Sequence, residues 1–253
     1  MMEGTIKGII LDKDGTLYDY VSVWAPVIKT TVRTILISLN IKDSGKAAEQ
    51  LYEIIGIDNE YHIYKDGIVF NHHKVFRAFC RLFGFCMRHC VNPFSFYAIM
   101  QKALLRPDDM IRVQLENMDF APIRKLMEKL GENGIRIGVV TNDTTASARS
   151  CFRMMGITDD IEFLRSKESN CRKKPNGEAV RQFCATFGLK PSEVCVVGDA
   201  TSDMDFAHNG GCGYAVGLLT GSRDREGLEK HGADVIYDDI TALIHDKKLF
   251  PDG

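Results

Sequence analysis

A short apolar run, Thr5–Leu11 (TIKGIIL), stops abruptly at Asp12-Lys13-Asp14-Gly15-Thr16. Such a run, ended by a turn signal, reads as a buried strand that delivers its first polar residues at the carboxyl end. The pattern recurs at Ile135–Val140 (IRIGVV), which ends at Thr141-Asn142-Asp143, and at Glu193–Val197 (EVCVV), which ends at Gly198-Asp199. Helical patterns lie around them, over Ala121–Gly131, Thr144–Met155, Gly177–Phe187 and Ser202–His208. This alternation implies an α/β fold, a parallel sheet wrapped by helices. Further short strands are expected at Ile161–Leu164, Gly213–Val216 and Asp234–Tyr237, with closing helices near Arg223–Lys230 and Ile240–His245. In open sheets of this kind ligands collect at the carboxyl ends of the strands, so the three polar strand ends should converge on one site.

The stretch from about Tyr18 to Asp119 breaks the alternation. It carries helical periodicity, as in VIKTTVRTILISL, and holds seven of the fourteen Phe within positions 70–96. It reads as an all-helical insert, with Phe70, Phe76, Phe79 and Phe83, near helical spacing, as its own core. His62, His72, His73 and His89 also fall here, without HxxxH or HExxH spacing, and read as exposed or core histidines rather than metal ligands.

Composition narrows the function classes. With 32 basic and 34 acidic residues among 253, the chain has no broad cationic surface to hold nucleic acid. No charge-free apolar run approaches the roughly 18 residues of a membrane span, and the charged start does not resemble a signal peptide. A soluble, cytoplasmic protein with no nucleic-acid or membrane partner is expected. The eight cysteines are scattered through apolar segments and read mostly as buried thiols. Cys86 and Cys90 lack the paired knuckles of a zinc site, and Cys171, beside Arg172, Lys173 and Lys174, reads as an inert loop thiol, with a lowered pKa as the alternative. No signal for an oligomeric state is legible.

Taken in order, DKDGT at 12–16, the strand ending in Thr141, the Lys174-Pro175 pair and GDATSD at 198–203 resemble the four sequence motifs of the haloacid dehalogenase (HAD) superfamily of aspartate-based phosphotransferases. The resemblance covers roughly residues 4–17 and 119–246. It implies a Rossmann-like, HAD-like catalytic core over 1–17 and 119–253. Residues 18–118 then stand where that family inserts a helical cap between its first and second motifs.

The residues point the same way. Bringing Asp12, Asp14, Asp199 and Asp203 together would raise their pKa values and destabilise the site unless a cation compensates. Oxygen-only ligands suit Mg²⁺, which also accepts a phosphate oxygen. A carboxylate can attack phosphorus once that repulsion is neutralised, and Asp12 is the expected nucleophile. The resemblance implies that Asp14 is the general acid/base and gives its backbone carbonyl to the metal, while Asp199 gives a carboxylate. Thr141, Asn142 and Lys174 would hold phosphoryl oxygens, and Asp203 would orient Lys174 or a metal-bound water. Lys173 and Lys167 compete for the cationic role. Lys174 is preferred because the residue before Pro matches the family pattern.

An acid at position 14 separates this chain from the family's ion pumps, which have Thr there, and from its dehalogenases. The cap position resembles that of phosphoglycolate phosphatase, beta-phosphoglucomutase and phosphonate hydrolases. The expected activity is Mg²⁺-dependent hydrolysis of a small phosphorylated metabolite, such as phosphoglycolate or a sugar phosphate, through an aspartyl-phosphate on Asp12. A phosphomutase of the beta-phosphoglucomutase type is the alternative, and a non-catalytic regulatory protein on the same fold a lesser one. His72, His73, Lys74 and Arg77 are candidate substrate contacts in the cap, weighed against a solvated helix face.

Overall fold

The computed structural model describes residues 5–41, 44–55, 75–103, 107–221 and 224–251, with the side chains of 75–78 and 107–109 outside that description. His62, Phe70, His72, His73 and Lys74 lie outside the described residues, as do the side chains of Phe76 and Arg77. The chain divides into two compact units, one formed by 1–20 and 115–253, the other by 21–114.

The first unit is built on a six-stranded, all-parallel sheet. Its strands are β1 (Gly8–Leu11), β2 (Arg136–Val140), β3 (Phe163–Arg165), β4 (Val194–Gly198), β5 (Tyr214–Leu218) and β6 (Val235–Tyr237), in the spatial order β3-β2-β1-β4-β5-β6. In register, Leu11 of β1 stands opposite Val139 of β2 and Val197 of β4. β1, β4 and β5 are buried along their whole length, which is why they read as unbroken apolar runs rather than as alternating ones. The edge strands β3 and β6 are more exposed.

The helices of this unit are α6 (Ala121–Glu132), α7 (Thr145–Met155), α8 (Glu178–Phe187), α9 (Thr201–Gly210) and α10 (Arg225–Lys230). Phe183 of α8 and Met204, Phe206 and Ala207 of α9 pack with Leu228 of α10 on Ile10, Val194, Val196 and Ala215 of the sheet. The segment Ile240–His245, expected as a closing helix, is a 3-10 helix started by Asp239, whose side chain accepts from the Thr241 amide. β1 begins at Gly8 rather than Thr5, although the chain just before it is already bonded on both sides: the Lys7 amide donates to Glu193 and the Lys7 carbonyl accepts from Arg136.

The second unit is helical. It contains α2 (Ser44–Ile55), α3 (Val75–Arg88) and α4 (Pro93–Ala103), most of α1 (Tyr20–Ser38) and most of α5 (Pro107–Glu116). Its core joins Val32, Ile35 and Leu36 to Ala47, Leu51 and Ile54, and to Phe85, Cys86 and Phe96. Of the expected core phenylalanines, the two whose side chains are described, Phe79 and Phe83, are not part of this core. Phe79 and Phe83 are 64% and 49% exposed. At about 100° per residue, α3 turns a stripe through Leu82, Phe85 and Cys86 inward and leaves 79, 83 and 87 on its flank. Spacing alone marks both stripes as apolar. His89 rests against the Phe85 ring and bonds Gln50, as a core-edge histidine.

Cys86, Cys151, Cys184 and Cys195 are buried, Cys171 and Cys212 half-buried, and Cys80 and Cys90 exposed. The Cys171 thiol is pushed up by burial and by Glu178, which favours the inert reading over an activated thiolate. Among the described residues no helix is long and apolar enough to cross a membrane.

The chain end is pinned by one buried carboxylate. Asp246, 2% exposed, accepts from Tyr214 Oη at 2.8 Å and Tyr237 Oη at 2.9 Å, and from the amides of Lys248 and Leu249. Replacing Asp246 by Ala strands these donors, and urea unfolding should show a loss of about 3 kcal/mol. A loss below about 1 kcal/mol would contradict the pinning role.

Candidate active site

The carboxyl ends of β1 and β4 lie side by side, because these strands pair directly. Asp12 follows the last residue of β1, and Asp199 the last of β4. Asp203 is the third residue of α9, where its Oδ2 accepts from the Ala200 amide at 3.1 Å and caps the helix start. One carboxylate oxygen from each of Asp12, Asp199 and Asp203 falls within 4.8 Å of the others. Among the described residues this is the group of three acidic, His or Cys side chains able to hold a metal ion.

Lys174 binds this cluster together. Its ammonium lies 2.6 Å from Asp12 Oδ1 and 2.6 Å from Asp203 Oδ1, with the side chain only 5% exposed. Burial disfavours the charge, but Asp12 and Asp203 outweigh it and hold the Lys174 pKa above the ordinary lysine value. Burial pushes the Asp12 carboxyl up, Lys174 pulls it down and Asp203 pushes it up again, for a net rise. Lys173 and Lys167, the competing cations, are both exposed.

The Asp14 carboxylate is not one of this group of three. Its Oδ1 accepts from Lys13 Nζ at 2.7 Å and from the Tyr18 hydroxyl. Thr141, 4% exposed, directly follows β2, its amide bonded to Arg165 and its hydroxyl accepting from the Asp143 amide at 3.1 Å. Asn142 is exposed beside it. Thr144 then caps α7, accepting from the Ser147 amide. Thus Asp12, Lys174, Asp199 and Asp203 form one bonded or closely spaced group, Asp14 forms another through Lys13, and Thr141 and Asn142 stand at the end of the neighbouring strand.

Several neighbours of the site were not singled out by sequence. Lys13 is buried and reaches both Asp14 and Asp143. After β5, the Thr220 hydroxyl donates to the Gly15 carbonyl at 2.6 Å and the Thr220 carbonyl accepts from the Tyr20 amide. Gly221 and Gly15 then press against Asp199: a Cβ at Gly221 would stand 1.7 Å from Oδ2, and one at Gly15, whose φ is +82°, 2.7 Å from Cγ. The one available signal was that β5, like β1, β2 and β4, is an apolar strand running into small polar residues at the same rim of the sheet.

The donor set suits a hard divalent cation. Its atoms are carboxylate oxygens without His or Cys, and two backbones hold the Asp199 carboxylate in place.

The family model for haloacid dehalogenase-like hydrolases matches residues 6–211, and the chain belongs to that family. It is 29% identical over 122 residues to phosphoglycolate phosphatase of Haemophilus influenzae, a match covering 48% of this chain and 54% of that protein. It is 34% identical over 96 residues, 38% of this chain and 45% of the relative, to a Clostridium perfringens protein named for the pyrophosphatase PpaX. The matches thus span about half the length of these curated relatives. Among solved structures, a Thermotoga maritima protein named for beta-phosphoglucomutase shares the fold at TM-score 0.63 and 14% identity, over 95% of this chain and 97% of that one.

Replacing Gly221 by Ala forces the Asp199 carboxylate out of its place. Calorimetric titration with Mg²⁺ should then show affinity at least about tenfold weaker than for the unaltered protein. Unchanged affinity would mean that Asp199 does not hold the cation.

Proposed function

We propose that the protein is a Mg²⁺-dependent phosphatase for a small phosphorylated metabolite of the phosphoglycolate or sugar-phosphate class, with Asp12 as nucleophile. The observation that carries this reading is the buried Lys174 ammonium shared by Asp12 and Asp203, with Asp199 in the same cluster. The phosphoglycolate phosphatase relatives support the substrate class.

Asp12 and Asp199, with the Asp14 backbone carbonyl, would hold Mg²⁺, whose charge when bound offsets the repulsion between a carboxylate and a phosphate. Lys174 adds charge on the same side, and Asp203 keeps its ammonium directed at Asp12. The Thr141 hydroxyl and the Asn142 amide hold the equatorial phosphoryl oxygens. An Asp12 oxygen forms a bond to phosphorus as the ester P–O bond breaks, and the leaving oxygen takes the proton of Asp14. Water then attacks the aspartyl-phosphate, gives its proton to Asp14, and releases inorganic phosphate and free Asp12. Residues 18–118 act as the cap that selects the leaving group, and 1–17 with 119–253 carry the chemistry.

Incubation with Mg²⁺ and a panel of p-nitrophenyl phosphate, 2-phosphoglycolate and hexose phosphates should release inorganic phosphate, and chelation should stop it. Replacing Asp12 by Asn should lower kcat at least about 1,000-fold while leaving the protein folded. No release from any ester, isomerised sugar phosphate in place of free phosphate, or full activity in the Asp12→Asn protein would each overturn the proposal.

A further inference from the structure

Lys13 is the second buried ammonium at these strand ends, and the mechanism above leaves it without a task. Its side chain is 4% exposed, against the habit of lysine to let its stem carry the charge out to water. Instead Nζ reaches Asp14 Oδ1 at 2.7 Å, Asp143 Oδ2 at 3.1 Å and Tyr18 Oη at 3.3 Å, and the Tyr18 hydroxyl donates to the same Asp14 oxygen. Burying a cation costs several kcal/mol unless its partners are well placed. Burial alone would lower the Lys13 pKa, yet Asp14 and Asp143 reverse this and hold it above the ordinary lysine value. Asp143 is likewise held below the usual carboxylate range: burial raises it, but the Ser147 hydroxyl and Lys13 prevail.

The two carboxylates belong to different loops. Asp14 follows β1, whereas Asp143 follows β2, and the Asp143 backbone is part of the phosphoryl-binding turn. Its amide donates to Thr141 Oγ1 at 3.1 Å, and its Oδ1 accepts from the Thr144 amide at 2.7 Å, at the start of α7. A displacement of Lys13 would therefore move the proton carrier relative to the groups that hold the phosphoryl oxygens.

We propose that Lys13 is a positioning residue, which ties the Asp14 carboxylate to Asp143 and so fixes the proton donor against the Thr141–Asn142 turn. Tyr18 completes the grip, its hydroxyl bonded to the same Asp14 oxygen and within reach of the ammonium. This rests on the phosphatase reading, in which Asp14 moves the proton. Lys13 touches none of the reacting atoms in that reading and acts through Asp14 and Asp143.

The test is a double-mutant cycle with steady-state kinetics on the best phosphate ester of the panel. Lys13→Met, which keeps the stem and removes the charge, should lower kcat about 30-fold with KM changed less than about threefold, because geometry at the reacting centre is lost while ester binding is kept. Asp143→Asn should lower kcat as well, and the double variant should lose little more than Lys13→Met alone, because both act through one bridge. Lys13→Arg should recover part of the loss. A Lys13→Met enzyme that keeps kcat within about threefold, or full additivity of the two losses, would overturn the proposal.

If Lys13→Met fails to fold, Tyr18→Phe and Asp143→Asn carry the test. A kcat loss with unchanged KM in both supports the bridge, and unchanged kcat in both overturns it. A wild-type protein that hydrolyses no phosphate ester removes the phosphatase reading and this inference with it, whereas an active wild type with unaffected variants removes the inference alone.

Discussion

Everything at the strand ends depends on keeping acids close together in a poorly solvated place. Burial disfavours a carboxylate's charge and a neighbouring carboxylate adds to that, and both push Asp12 up, burial more than Asp203. Lys174 opposes this by pairing with Asp12 and Asp203 at once, and Lys13 does the same for Asp14 and Asp143. Each ammonium is buried and multiply bonded, so each holds its carboxylates in one arrangement rather than letting them turn to water. The cost is borne by the fold, which must bury two lysines, and the return is a set of acidic oxygens fixed in space.

The sheet supplies the rigidity this requires. β1 lies between β2 and β4, so the residues after these three strands meet without any long loop. The strand order changes direction between β1 and β4, where open parallel sheets bind their ligands, and Asp12 and Asp199 come from those two strands. Asp203 is fixed by capping α9, Thr141 by its bond from Asp143, and Asp199 by the backbones of Gly15 and Gly221. Even β5, which carries none of the four motifs, contributes through Thr220 and Gly221. The candidate site is thus a set of short tethers from the buried central strands to a few polar atoms at the rim of the sheet.

Much of this was legible beforehand. Strands buried on both faces leave unbroken apolar runs, and an acid directly after such a run has one place to be, so Asp12 and Asp199 could be located from the chain alone. What escaped notice is equally physical. Lys13 looks like any surface lysine, because no periodicity reports whether a flexible stem turns inward. Gly221 matters only through an approach to Asp199 made in three dimensions. In the helical unit, α3 carries apolar residues on two adjacent stripes, and spacing could not tell that Phe85 and Cys86 face the core while Phe79 and Phe83 do not. At Ile240–His245 the apolar pattern fits a 3-10 helix as well as an α-helix, and the short segment takes the tighter form.

The proposed phosphatase chemistry requires a covalent bond between Asp12 and phosphorus. It is tested most directly by quenching the protein during turnover with borohydride, which reduces an acyl phosphate to an alcohol and leaves a free carboxylate intact. Peptide mass spectrometry should then find homoserine in place of Asp12, only when both ester and Mg²⁺ are present. Steady phosphate release with Asp12 unaltered, or reduction of a different carboxylate, would contradict it.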